Sequence, residues 1–251
     1  MRTWRAEVLA RYPHPGRGFT QGLLAGTGSA RETAIWESTG QYGDSALIRY
    51  RLGQFQPQRR AALGPALFGE GIGRVGGYIW QLTWQERVAL RWDARTLAPL
   101  GQVPYDRAGW GICAALGYVV TSDGSSELVR RDPGTLDPFD VLTVRCDGAP
   151  VPGLNDLAWS GGRIWANVFG TDRLAGIDPD TGDVGDLVDA RAAWERHRGD
   201  PDAVLNGVAA LPAAGEFLLT GKTYRYIRHV RLVAARDRLG RGFTGRRLPL
   251  R

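Results

Sequence analysis

Short apolar runs recur along the chain, separated by polar and glycine-rich punctuation. Ile35-Trp36-Glu37, Ile79-Trp80-Gln81, Val119-Val120-Thr121, Ile164-Trp165-Ala166-Asn167 and Phe217-Leu218-Leu219-Thr220 each read as one strand. Gly76-Gly77 and Gly161-Gly162 precede two of these runs and predict hairpin turns. About ten to fifteen residues ahead of each run stands a second recurring phrase, in which a polar or aromatic residue sits among small and apolar ones. Its copies are Phe19-Thr20-Gln21-Gly22-Leu23, Phe68-Gly69-Glu70-Gly71-Ile72, Gly109-Trp110-Gly111-Ile112, Leu154-Asn155-Asp156-Leu157 and Leu205-Asn206-Gly207-Val208. The central residues Gln21, Glu70, Trp110, Asn155 and Asn206 are spaced 49, 40, 45 and 51 residues apart. A third phrase predicts a turn after the next strand: Asp93-Ala94-Arg95-Thr96-Leu97, Asp132-Pro133-Gly134-Thr135-Leu136 and Asp178-Pro179-Asp180-Thr181-Gly182.

Units of this length, each made of several short strands, predict an all-β, five-bladed β-propeller forming a single domain over residues 1–251. The small residues of the first phrase suit the innermost strands, which crowd around the axis. The five central residues should therefore converge at one mouth of the channel. Thr3 to Tyr12 and Tyr224 to Val233 both read as strands, and pairing them would close the ring. The best helical candidate is Asp189 to Arg198.

Composition agrees: 35 Gly and 9 Trp in 251 residues favour turns and strands. The formal net charge of +6 suggests a polyanionic partner, but its distribution argues otherwise. Lys222 to Arg251 holds ten basic residues and one acid, so residues 1–221 carry a net −3. The excess belongs to the last strand and an Arg-rich tail over residues 236–251, without an aromatic groove or a known nucleic-acid module. No nucleic-acid partner is expected. No apolar run reaches bilayer length, so no membrane partner is expected either. The opening Met1-Arg2-Thr3-Trp4-Arg5 has no apolar signal core, which favours a cytoplasmic location, or export if an upstream segment has been removed. Cys113 and Cys146 read as buried thiols, and His14, His197 and His229 are too scattered for a zinc site.

Glu70 lies between glycines that expose it on an inner strand, which makes it a candidate acid or base; the alternative is a solvated side chain. The surrounding Gly69-Glu70-Gly71-Ile72-Gly73 is not read as a phosphate loop, because Glu70 would repel the phosphate. Asp178 to Asp183 has the outline of a calcium loop without its bidentate Glu, and reads as a turn. Lys222 is the sole lysine among 32 basic residues. In so arginine-rich a chain, it marks a position that needs a compact ammonium with a tunable pKa. Trp36, Trp80 and Trp165 recur at one repeat position and read as core, whereas Trp84 and Trp110 stand beside the predicted mouth.

Taken in order, these phrases resemble the plant and bacterial type of glutaminyl-peptide cyclotransferase, or glutaminyl cyclase. Further matching segments are Trp36-Glu37-Ser38-Thr39-Gly40, Gln81-Leu82-Thr83-Trp84, Ser122-Asp123-Gly124-Ser125, Trp165-Ala166-Asn167-Val168 and Thr220-Gly221-Lys222. The resemblance implies a five-bladed propeller that converts N-terminal Gln of peptides and proteins to pyroglutamate and releases ammonia. It implies Glu70 as acid/base and Lys222 as the carbonyl-polarising group. It also implies a substrate site lined by Gln21, Phe19, Trp84, Trp110, Asn155 and Phe169. No catalytic cofactor is implied, unlike in the zinc-dependent animal enzymes; a structural ion in the channel is compatible, and a monomer is expected. Ala108 stands where the family usually has Glu, Asp156-Leu157-Ala158 where it has Glu-Leu-Glu, and Phe169 where Trp is common. Ala108 and Ala158 favour an alternative, a propeller that binds without catalysing. A metal-dependent lactonase is another, with Glu70, Asn155 and Asn206 as part of its ligand set.

Overall fold

Gly161 and Gly162 have φ of +60° and +73°. Glycine adopts these values without a Cβ clash, and they suit the twist of a two-residue hairpin. The flanking residues pair accordingly, Ser160 opposite Arg163. Repeated hairpins build an almost wholly β chain in this computed structural model, which describes residues 1–15, 18–27, 33–193 and 202–235.

Strand β1 spans Arg2–Pro13. A first antiparallel sheet holds β2 (Thr20–Ala25), β3 (Ala34–Thr39), β4 (Ala46–Arg51) and β5 (Arg59–Ala62). A second holds β6 (Gly69–Val75), β7 (Tyr78–Thr83), β8 (Val88–Asp93) and β9 (Pro99–Pro104). A third holds β10 (Gly111–Ala114), β11 (Val119–Ser122), β12 (Glu127–Arg131) and β13 (Pro138–Thr143). A small hairpin, β14 (Arg145–Cys146) and β15 (Ala149–Pro150), follows. The remaining strands are β16 (Leu154–Ser160), β17 (Arg163–Val168), β18 (Arg173–Ile177), β19 (Val184–Asp189), β20 (Leu205–Ala210), β21 (Glu216–Gly221) and β22 (Tyr226–Ala234). With β1 they form an eight-stranded sheet in the order β16-β17-β18-β19-β1-β22-β21-β20.

The predicted pairing of the two terminal strands is present. β1 runs antiparallel to β22, from Trp4 opposite Ala234 to Pro13 opposite Tyr226. Its other edge pairs in parallel with β19, Arg2 opposite Asp186, so β1 is covered on both sides. The strands that open each meander, β2, β6, β10, β16 and β20, pack side by side, and β20 returns to β2. This is a propeller-like arrangement. Apolar clusters fill the spaces between successive sheets. One joins Leu23, Ile35 and Tyr50 to Ala209, Leu218 and Ile227, across the closure of the ring. Trp36, Trp80 and Trp165 are buried at equivalent places on β3, β7 and β17, as the repeat predicts.

The third phrase forms one recurring turn. Asp93, Asp132 and Asp178 each accept two backbone N–H groups from the residues that follow, between the last two strands of a meander. This settles Asp178 to Asp183 as a strand connection. Cys113 and Cys146 are free and buried, as expected. The helical reading of Asp189 to Arg198 is corrected where the chain is described. Asp189 ends β19 opposite Arg173 and beside Arg5, and only Arg191–Ala193 makes a 3-10 turn. Pairing on both edges outweighs the weak local preference for helix. Residues 194–198, His197 included, and the tail 236–251 lie outside the described residues. Among the described residues, no helix is long and apolar enough to cross a membrane.

Candidate active site

The inner strands are interrupted at four of the five places where the first phrase puts its central residues. Register shifts fall between Thr20 and Gly22, Gly69 and Ile72, Leu154 and Leu157, and Leu205 and Val208. These β-bulges release Gln21, Glu70, Asn155 and Asn206 from the ladder and re-aim their side chains, a common device beside active sites. Crowding at the axis is real. A Cβ on Gly71 would lie 2.5 Å from the carbonyl oxygen of Trp110, and the Gly71 N–H donates to that oxygen at 2.8 Å.

Three of the released side chains form a chain of hydrogen bonds. Asn206 Nδ2 donates to Gln21 Oε1 at 3.1 Å and to the Thr20 carbonyl at 3.1 Å. Gln21 Nε2 in turn donates to Glu70 Oε1 at 3.1 Å. Glu70 is only 5% exposed. Burial pushes its carboxyl well above the ordinary carboxylate range; Lys222 opposes that rise, and Glu86 and Asp156 add to it.

Lys222 follows the last residue of β21 and is 8% exposed. Its Nζ lies 4.6 Å from the ring centre of Phe19 and 5.1 Å from that of Phe169. Burial lowers its pKa from 10.5, while the nearby charges of Glu70 and Asp202 oppose that. Aromatic faces hold the ammonium by cation–π attraction and leave its N–H donors available. The rings continue as a half-buried arc. Trp110 meets Phe169 edge-on at 5.5 Å, Phe19 meets Phe68 at 6.3 Å, and Phe68 meets Trp84 at 5.6 Å.

The structure therefore brings Gln21, Phe19, Glu70, Trp84, Trp110, Phe169 and Lys222 to one region. Asn155 lies on the bulge of β16, 3% exposed, and its Oδ1 has no hydrogen-bond partner. Three contributors stand outside the substrate-site set that the resemblance implies. Asn206 holds Gln21, although it occupies the central place of the fifth phrase. Phe68 links Phe19 to Trp84 within the aromatic arc, and precedes Gly69-Glu70 as Phe19 precedes Thr20-Gln21. Tyr42 stacks edge-on against Phe68 at 5.3 Å and donates to Glu86 at 2.7 Å, a contact 44 residues apart that no local pattern signals. Among the described residues, no group of three or more His, Cys, Asp and Glu side chains is arranged to hold a metal ion.

A buried carboxyl whose pKa is raised and a buried amine whose pKa is lowered lie in one region, a kind of perturbation that clusters at functional sites. With the half-buried aromatic rings beside them, these groups mark a candidate enzyme site. The comparisons give that class its family. The chain matches the family described as glutamine cyclotransferase over residues 1–232. It is 31% identical over 240 residues to the glutaminyl-peptide cyclotransferase of Arabidopsis thaliana, covering 93% of this chain and 73% of that one. The crystal structure of Myxococcus xanthus glutaminyl cyclase superposes with a TM-score of 0.84 at 31% identity, over 93% of this chain and 99% of that one. The chain belongs to the glutamine cyclotransferase family, and it is an enzyme of that transferase class.

Proposed function

We propose that this enzyme cyclises the N-terminal glutamine of peptides and proteins to pyroglutamate, releasing ammonia, at the mouth of a five-bladed propeller. The observation that carries the reading is the convergence of Glu70 and Lys222 beside the arc of Phe19, Phe68, Trp84, Trp110 and Phe169. Closure of the inner-strand ring from β20 to β2 supports the five-blade reading.

The reaction is intramolecular. The neutral α-amine attacks the side-chain amide carbon, a C–N bond forms, and negative charge grows on the carbonyl oxygen. An α-amine with a pKa of about 8 is available near neutral pH. Lys222 donates to that oxygen, a stabilisation that is large in a dry site. Glu70, as carboxylate, takes the proton from the attacking nitrogen and passes it to the amide nitrogen. The old C–N bond then breaks and ammonia leaves. Positioned proton transfer of this kind contributes about 10²–10⁴-fold. Gln21 keeps the Glu70 carboxylate aimed, Asn155 orients the substrate amide, and Phe19, Trp84, Trp110 and Phe169 hold the glutamine folded. That orientation replaces a covalent intermediate. The reading needs no metal or other cofactor.

The test is ammonia release from a short Gln-initiated peptide by the parent and by Glu70→Gln, each with and without chelator. Loss of turnover in the folded variant is expected, together with parental turnover that resists the chelator. A Glu70→Gln enzyme at the parental rate would remove Glu70 from the mechanism, and chelator-sensitive turnover would remove the metal-free route.

A further inference from the structure

Away from the groups that face the mouth, one buried ionisable cluster has no part in the mechanism above. His14 follows β1, and its ring is wholly enclosed with the carboxylate of Glu37. Its Nδ1 lies 2.8 Å from the carbonyl oxygen of Tyr224 and its Nε2 lies 2.8 Å from Glu37 Oε1. Glu37, on β3, also accepts Thr20 Oγ1 at 2.7 Å on the same oxygen and the Tyr50 hydroxyl at 2.9 Å on the other. A carbonyl oxygen can only accept, so Nδ1 carries a hydrogen. Against its burial, His14 and the Thr20 and Tyr50 donors hold Glu37 below the ordinary carboxylate range, so it is a carboxylate and Nε2 donates to it as well. The two residues form an imidazolium–carboxylate pair. Such a pair rarely outperforms apolar packing in stability, which turns attention to what it holds in place.

It holds the turn that carries Lys222. Between β21 and β22, Thr223 adopts φ of +62°, an uncommon region for a β-branched residue. Every residue around it is tied to another segment. Lys222 N–H donates to Val204, Thr223 N–H to Gly18, and His14 N–H to Arg225, each at 3.0 Å. His14 therefore occupies two successive carbonyls of the turn, those of Tyr224 and Arg225. Glu37 reaches the opposite side through Thr20, next to Gln21, and through Gly18, where a Cβ would sit 3.0 Å from Glu37 Oε1.

We propose that the His14–Glu37 pair is a positioning element. It locks the strained turn after β21 and so fixes the Lys222 ammonium relative to Glu70 and Gln21. The catalytic half of this inference rests on the role given to Lys222 under Proposed function, and the experiment separates the two.

Lys222 is the only lysine in the chain, so protein labelled with 13Cε-lysine gives a single side-chain signal that reports its ammonium directly. Glu37→Gln keeps the shape of Glu37 and removes its charge, and Tyr50→Phe removes one of its donors. Folded Glu37→Gln should show a moved lysine signal and titration midpoint, with kcat lower by about ten- to a hundredfold. KM should stay within about threefold, since ground-state binding is untouched. Tyr50→Phe should move signal and kcat in the same directions by less. A parental lysine signal in Glu37→Gln overturns the proposal, as does parental kcat where Lys222→Met is inactive. Should Glu37→Gln fail to fold, Tyr50→Phe decides by the same two readouts. Parental kcat in Lys222→Met would instead sink the role given to Lys222, leaving the positioning claim to stand or fall on the lysine signal alone.

Discussion

Gln21 Nε2 donates to Glu70 Oε1 at 3.1 Å, from one sheet to its neighbour. Gln21 is itself fixed by Asn206 from the far side of the ring closure. The carboxyl is thus oriented by an amide whose flip is decided by a second amide. Asn206 Nδ2 needs an acceptor and Glu70 needs a donor, so Gln21 presents its oxygen to one and its nitrogen to the other.

That relay predicts the behaviour of Gln21→Leu. Losing the donor weakens hydrogen bonding to ionised Glu70, which raises an already raised carboxyl further. Glu70 must be ionised to accept the amine proton, so activity falls as pH drops through its pKa. The acid limb of kcat/KM should therefore move to higher pH in Gln21→Leu, with kcat about tenfold or more lower. A pH–rate profile checks this, and an unmoved acid limb would separate Gln21 from Glu70.

Lys222→Arg tests shape against charge. Between Phe19 and Phe169 there is a compact ammonium, and a guanidinium would lie flat on those rings with its donors fixed in a plane. A loss of about a hundredfold or more in kcat is expected, the cost of misplacing an oxyanion donor. The alkaline limb carries a second signature. Burial lowers the pKa of Lys222, so activity should fall as pH rises through that lowered value. Arginine does not deprotonate there, so the residual activity of Lys222→Arg should lack that fall.

How much of this was visible in the sequence depends on what each residue answers to. The inner-strand phrases were legible because crowding at the axis imposes small residues at regular intervals, and the bulges then fall on Gln21, Glu70, Asn155 and Asn206. Pairing of the terminal strands was legible from their apolar alternation. Lys222 stood out because composition isolates it. The contacts between these residues were not legible. His14 meets Tyr224 across 210 positions, and Asn206 meets Gln21 across 185. Those separations are set by closure of the ring, not by any local pattern. Asp189 itself departs from the helical reading for the same reason, since β1 arrives from the other end of the chain to pair with it.

Asp156 gives a stability prediction with a definite sign. It is fully buried; Oδ2 accepts the N–H groups of Leu23 and Val208, and Oδ1 has no partner. Burial raises its pKa well above the usual value, with those N–H bonds opposing the rise. A raised carboxyl keeps its proton in the folded state at pH values where the unfolded chain has lost it. Stability therefore falls as pH rises from the unfolded pKa of about 3.9 through the folded one. Asp156→Asn keeps the Oδ2 acceptor and cannot ionise. It should be more stable than the parent at pH 8, by on the order of 1–3 kcal/mol. That advantage should begin to shrink as pH is lowered through the folded pKa and reach zero below the unfolded value of about 3.9. Urea unfolding at a series of pH values measures the difference, and a pH-independent gap would show that Asp156 does not titrate on unfolding.

Trp110 is expected to act on binding rather than on proton transfer. Its indole meets Phe169 at 5.5 Å, and its backbone is pinned to Ser122 and Gly71. A half-buried wall contacts the substrate equally before and during attack, and such uniform binding appears in KM. Trp110→Leu should raise KM about tenfold and leave the acid limb set by Glu70 where it is. Gly124 offers a subtler version of the same experiment. Its φ is +82°, and a Cβ there would lie 2.7 Å from the Trp110 ring. Gly124→Ala must displace the indole without deleting it. If the ring works by position, this variant should raise KM in the same direction as Trp110→Leu while retaining the aromatic surface. If bulk alone matters, Gly124→Ala should bind as the parent does, and steady-state kinetics on one Gln-initiated peptide would tell the two apart.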